Sequence, residues 1–130
     1  MGAASQVPVL MAGGTQMTAV LAVVNAFDAD VLCNVAVGTT RWVVKDKSSD
    51  LKGIVKQFCD VPILAADLNF SKSRFPGLRI YETGLVKEGV GAGGASIAAM
   101  AKSGGAVTAD LLLKEIERNY SLLMGLKDGP

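Results

Sequence analysis

Glu88 stands directly before a glycine-rich run, Gly89-Val90-Gly91-Ala92-Gly93-Gly94, which leads into a small-residue helical segment from Ala95 to Lys102. Glycine lets a backbone approach a ligand closely and adopt positive φ. The first N–H groups of a helix lack internal partners and carry partial positive charge. A turn of this kind suits a phosphate group. A carboxylate beside such a cradle points to chemistry on a phosphorylated metabolite.

Blander readings of the same residues stay open. A glycine-rich turn before a helix is often only a tight connection, and Glu88 then serves as a helix-start carboxylate. Gly89, Gly91 and Gly94 also match the dinucleotide fingerprint G-x-G-x-x-G. That fingerprint should come after a buried strand and open a βαβ unit. Here the preceding residues, Tyr81 to Glu88, are too polar for a buried parallel strand, and the residues after Gly94 read as helix. No Gly-Lys-Ser/Thr comes after the glycines, which excludes a P-loop.

The chain has no histidine, which removes the usual general base and the commonest metal ligand. Acid–base work falls to Asp, Glu, Lys or Tyr. Cys33 and Cys59 lie far apart without metal-ligand spacing, and each sits among apolar residues; both are expected to be buried free thiols. No metal and no cofactor is expected.

The elements that must position Glu88 and its turn read as an α/β domain covering residues 1–130. Half of the residues are apolar and mean hydropathy is +0.38, which suits buried parallel strands and close helix packing. The same excess suits a surface covered by another subunit or domain. Net charge is +1, so no broad field points to nucleic acid. Lys45, Lys47, Lys52 and Lys56 mix with Asp46 and Asp50 and read as a solvated face. No apolar run approaches the roughly 20 residues of a membrane span. Met1 to Val7 lacks the basic start of a signal peptide, so a cytoplasmic location is expected.

Pro8 to Ala12 predicts a buried strand, then a buried helix over Gln16–Phe27 with Thr15 as its cap. Val31 to Val37 predicts a second strand, and Arg41 to Lys45 a short strand or ordered loop. Ser48 or Ser49 is expected to cap an amphipathic helix carrying Leu51, Ile54, Val55 and Phe58. Pro62 to Ala66 predicts the third strand, Gly77 to Gly84 one short helix, and Val90–Lys102 and Thr108–Leu123 two closing helices. This alternation implies an open, mostly parallel sheet of about three strands with helices packed on it, a partial Rossmann-like three-layer fold. The strands end in Gly13-Gly14-Thr15-Gln16, Gly38-Thr39-Thr40 and Asp67-Leu68-Asn69. Ligands of open α/β sheets bind outside the carboxyl ends of strands. Gly14, Thr15, Gln16, Thr39 and Asp67, with Ser71 and Ser73 of the next loop, are therefore candidate cleft-lining residues. A strand so close to Met1 and a sheet of only three strands suggest a fragment, or a domain paired tightly with something else.

Several segments together resemble the archaeal-type branch of the nicotinate-nucleotide–dimethylbenzimidazole phosphoribosyltransferase family. They are Gly13-Gly14-Thr15-Gln16-Met17, Thr39-Thr40-Arg41-Trp42-Val43, Phe70-Ser71-Lys72-Ser73, and the stretch from Tyr81 through Lys87-Glu88-Gly89-Val90-Gly91-Ala92-Gly93-Gly94. The resemblance runs from about Val7 to the last helix and corresponds to the carboxyl-terminal half of the family enzyme. It implies transfer of ribose 5-phosphate from nicotinate mononucleotide to a benzimidazole-type base, giving an α-ribazole phosphate, a precursor of the cobamide lower loop. It implies that Glu88 is the general base and that Gly89 to Gly94 contact phosphate and ribose. It also implies a homo-oligomer, or a partner supplying the amino-terminal half, and doubtful activity for this chain alone. Two other readings stand beside it: a non-catalytic nucleotide- or phosphate-binding module, and a subunit of a split enzyme with the Gln16 helix and terminal helices as its interface.

Overall fold

The computed structural model describes residues 1–85 and 89–125. Among them three strands, β1 (Val9–Ala12), β2 (Val35–Thr40) and β3 (Ile63–Ala66), form one sheet in the order β1-β2-β3. Both pairings are parallel, with Val9 opposite Val35 and Val37 opposite Ile63. The helices are α1 (Gln16–Phe27), α2 (Arg41–Lys45), α3 (Leu51–Lys56), α4 (Pro76–Arg79), α5 (Gly91–Lys102) and α6 (Ala109–Leu123). The expected open parallel α/β sheet is the one observed.

Two apolar clusters hold the layers together. Leu21 of α1 and Leu51 and Val55 of α3 pack with Val35, Val37, Val43 and Val61. A second cluster joins Ala66, Leu68, Phe70 and Leu78 to Ile97 of α5 and to Leu112, Leu113, Ile116 and Tyr120 of α6. The α6 residues recur at helical spacing, which makes one stripe. Thr108 caps that helix, its hydroxyl accepting from Leu111 N–H at 3.2 Å. Helix α5 ends where Gly104 and Gly105 take φ of +61° and +86°, and Gly105 N–H returns to the Met100 carbonyl at 2.9 Å.

Several local expectations are corrected. The second strand spans Val35–Thr40, not Val31–Val37: Ala29–Asn34 forms a 3₁₀ turn that buries Val31 and Leu32, and Gly38, Thr39 and Thr40, expected to close the strand, pair within it. An apolar run does not by itself distinguish a buried strand from a buried turn. Arg41–Lys45 is a short helix rather than a strand or loop, with Val43 turned into the core. The cap of α3 is Asp50, whose carboxylate accepts from Gly53 N–H at 3.1 Å. Ser48 instead donates to Asp46, and Ser49 to the Val43 carbonyl. Phe58 lies beyond the end of α3 but still packs on the core.

Helix α1 is not buried all round. Leu21 is inaccessible, whereas Val20, Val23 and Phe27 are 44%, 55% and 76% exposed on one side of the helix. Thr15 makes no side-chain cap; its carbonyl instead accepts from Thr18 Oγ1 at 2.6 Å. Both cysteines are free, but Cys33 is exposed and Cys59 half-buried. Among the described residues, no helix is long and apolar enough to cross a membrane.

Candidate functional site

Helix α5 crosses all three strands, and its first turn sits on the carboxyl ends of β1 and β2. Glycine makes this possible. A Cβ on Gly93 would lie 2.1 Å from the carbonyl carbon and oxygen of Thr39, and one on Gly94 would lie 2.5 Å from the Ala12 Cβ. From the sheet side, a Cβ on Gly38 would lie 2.8 Å from the Gly94 Cα. Helix backbone therefore rests directly on strand backbone. Gly93 and Gly94 are buried and helical, so within the glycine run they serve helix–sheet contact.

The other residues of the run stand at the mouth of this junction. Gly89 is exposed with φ +69°, the left-handed conformation that favours glycine. The N–H groups of Ala92 and Gly93 bond back to the Gly89 and Val90 carbonyls, at 2.9 and 3.1 Å. Those two amides are engaged within the turn itself. A Cβ on Gly91 would lie 3.6 Å from the Ala12 carbonyl oxygen, and one on Gly14 would lie 3.2 Å from Val90 Cγ2. Gly14 N–H donates to Gln16 Oε1 at 3.2 Å. The structure thus brings Gly14, Gln16, Val90 and Gly91 together, with Thr15 between the first two. Glu88 lies outside the described residues.

The central strand ends in unsatisfied polar groups. Among the described residues, three buried side-chain polar atoms have no hydrogen-bond partner: Thr39 Oγ1, Thr40 Oγ1 and Trp42 Nε1. All three fall within four consecutive positions at the carboxyl end of β2. Buried polar atoms are nearly always paired, because an unpaired one costs about 1–3 kcal/mol. Such a concentration is a reason to look for a ligand there. Of these residues only Thr39 stood among the candidates from sequence. Thr40 was legible only as part of a strand end, and no sequence signal marks the Trp42 indole as unpaired.

Arg41 ties this end of the sheet together. Its guanidinium donates to Asp67 Oδ1 at 3.2 Å and to Glu82 Oε2, and lies 5.8 Å from the centre of the Trp42 ring. Glu82 also accepts from Phe70 N–H at 2.7 Å. Trp42, Phe70 and Tyr81 form an aromatic trio with ring centres 4.9–5.7 Å apart. Asp67 is therefore at the strand ends as expected, bound to Arg41. The Arg41–Glu82 pair was not anticipated, because 41 residues separate its members.

Ser73 departs from its expected role. It is buried, donates to Glu117 Oε1 at 2.6 Å and accepts from Phe75 N–H at 3.1 Å. Those bonds fix the loop to α6, so Ser73 does not line the cleft. Ser71 is exposed in a turn closed by its own N–H to Asn69 Oδ1 at 2.9 Å.

Two cavities bear on the choice of site. The larger, about 740 Å³, lies at the amino end of β3 between α3 and Asp60–Ile63, far from the glycine run. The smaller, about 370 Å³, is lined by Arg41, Trp42, Glu82, Thr83 and Gly84 at the carboxyl end. The smaller marks the better candidate, because Trp42, one of the three residues with an unpaired polar atom, lines it, although Thr39, Thr40 and the glycine run do not. Among the described residues no three His, Cys, Asp or Glu side chains converge as a metal site. Burial, and then the Asp60 carboxylate, push the Cys59 thiol above the ordinary thiol range, so it is a poor nucleophile at neutral pH.

Comparison with known proteins adds to this geometry. No family model matches the chain. A UPF0284 protein of Sulfolobus acidocaldarius is 51% identical over 116 residues, covering 89% of this chain and 33% of the relative. The sequence is similar to UPF0284 proteins. That of Sulfurisphaera tokodaii is 50% identical over 112 residues, covering 86% of this chain and 31% of the relative. A UPF0284 protein of Saccharolobus islandicus is 45% identical over 117 residues, covering 90% and 33%. The chain spans about a third of the length of the curated relatives it matches.

Proposed function

We propose that this chain carries the nucleotide-binding and proton-accepting part of a phosphoribosyltransferase that moves ribose 5-phosphate from nicotinate mononucleotide to a benzimidazole-type base. The observation that carries the reading is the docking of the first turn of α5 on the carboxyl ends of β1 and β2, beside the unpaired donors that end β2. The motif resemblance around Glu88 supports the choice of reaction.

In this reading the ring nitrogen of the bound nicotinate is cationic, so the C1′–N bond breaks with its electron pair returning to the pyridine. One nitrogen of the incoming azole forms the new bond to C1′. Its other nitrogen then loses a proton to the Glu88 carboxylate. General base catalysis of this kind contributes about 10²–10⁴-fold. Holding the base in line with C1′ contributes more by removing translational freedom. The Gly89–Gly91 backbone takes the 5′-phosphate at the positive end of α5. The whole enzyme functions as a homo-oligomer, or with the amino-terminal half that the resemblance implies, in the cytoplasm.

The test is an assay of α-ribazole phosphate formation from nicotinate mononucleotide and dimethylbenzimidazole by the protein and by Glu88→Gln. Turnover at least about a hundredfold lower, with nucleotide affinity retained, is expected. Nucleotide binding without turnover in either protein, even with the amino-terminal half added, would leave a binding module instead.

A further inference from the structure

We infer that the Thr40 hydroxyl is a phosphate-positioning group of this site, a role that rests on a phosphorylated ligand binding at the first turn of α5. The inference deepens the proposed function by naming a side chain that recognises the anionic end of the substrate.

Direction supplies the first leg. Side chains of a strand alternate between the two faces of a sheet. A Cβ on Gly38 would point at the Gly94 Cα, so position 38 of β2 faces α5. Thr40, two residues on, faces the same side. It lies further toward the carboxyl end, and so toward the helix N-terminus. Gly93 rests on the Thr39–Thr40 peptide, where its Cβ would stand 2.5 Å from Thr40 N. The Thr40 side chain thus lies on the α5 face of the sheet, beside the helix's opening turn.

Burial supplies the second leg. Thr40 is 3% exposed, and its hydroxyl oxygen has no partner. Serine and threonine hydroxyls near backbone carbonyls usually find one, as Thr18 does with the Thr15 carbonyl and Ser96 with the Ala92 carbonyl at 2.7 Å. An unsatisfied hydroxyl here is a cost to the fold, whereas valine of nearly the same shape would avoid it. A phosphate monoester offers the acceptor oxygens that this donor lacks. It also suits the helix end, because the positive end of α5 favours an anion. The hydroxyl is buried, so a ligand reaches it only when the opening turn of α5 moves outward. That movement breaks the bonds from the Ala92 and Gly93 N–H groups to the Gly89 and Val90 carbonyls and draws Val90 off the core, so binding of the anion must offset both.

The test is a pair of substitutions with opposed readouts. Thr40→Val removes the hydroxyl and keeps the shape; Thr40→Ser keeps the hydroxyl. Thermal unfolding without ligand, and calorimetric titration with inorganic phosphate, ribose 5-phosphate and nicotinate mononucleotide, are measured on each. Thr40→Val is expected to unfold at the same or a higher temperature, while affinity for all three ligands falls at least about tenfold. Thr40→Ser is expected to retain most of the affinity. Unchanged affinity in Thr40→Val would overturn the inference, and so would a lower unfolding temperature, since the hydroxyl would then be supporting the fold. If phosphate and ribose 5-phosphate respond as expected but no phosphoribosyl transfer is detected, the subsite stands and the proposed reaction falls.

Discussion

Two glycines in one run should respond to alanine with opposite signs. At Gly93 the new Cβ would lie 2.1 Å from Thr39 backbone atoms and 2.5 Å from Thr40 N. Carbon atoms pack comfortably at about 3.5 Å, so α5 would have to back away by about 1.4 Å. The atoms opposing it belong to the central strand and have no rotamer to change. Overpacking of this kind costs about 1–3 kcal/mol, and a rigid neighbour places it at the upper end. Replacing a helical glycine by alanine returns about 1 kcal/mol. The net expectation for Gly93→Ala is a loss of about 2 kcal/mol, or a fall in melting temperature on the order of 8 °C. At Gly91 the new Cβ would lie 3.6 Å from the Ala12 carbonyl oxygen, an ordinary contact, and φ is not positive. Gly91→Ala should therefore be neutral or stabilising by up to about 1 kcal/mol. Urea unfolding monitored by circular dichroism measures both. Equal effects in the two variants would refute the reasoning, because they would mean that α5 does not seat on the sheet through Gly93.

Single contacts give the other expectations. Ser73→Ala should destabilise by about 1–3 kcal/mol, since Phe75 N–H loses its acceptor and Glu117 Oε1 keeps only the Arg74 N–H; chemical denaturation checks it. Asp50→Ala should cost about 1 kcal/mol through loss of the α3 cap, read from the same titration. Cys33 should react with a thiol reagent first, and Cys59 only well into the alkaline range, because its raised pKa keeps it protonated at neutral pH; reaction of Cys59 first near neutral pH would contradict this. The exposed Val20, Val23 and Phe27 side of α1 is expected to drive self-association, so Phe27→Ser should lower the mass seen by light scattering with little change in stability.

The sequence made the sheet legible because each strand is a short apolar run closed by small or polar residues, a pattern that survives without knowing what packs on it. The closing helices were legible from Thr108, the Gly104-Gly105 break and the apolar stripe of α6. Val31 and Leu32 misled because burial, not backbone state, is what an apolar run reports. The glycine run was visible as special, but its division of labour was not. Gly93 and Gly94 meet Thr39 and Ala12 across distances in sequence that no motif encodes. Ser73 looked like a ligand group because its bond to Glu117 joins residues 44 apart. Unpaired donors such as Thr40 and Trp42 were invisible for the same reason, since whether a donor is satisfied depends on everything folded around it.

The seating of α5 on Ala12 and Gly38 also sets an order of events during folding. Each strand can find its neighbour after a short crossover, but α5 must return across most of the chain to close on β1. Such long-range closure adds little to the equilibrium cost, because loop entropy grows only logarithmically with length. It weighs on the rate instead, since distant contacts form late. The junction between α5 and the strand ends is therefore expected to form late, and anything that binds there would report the finished molecule rather than its sheet.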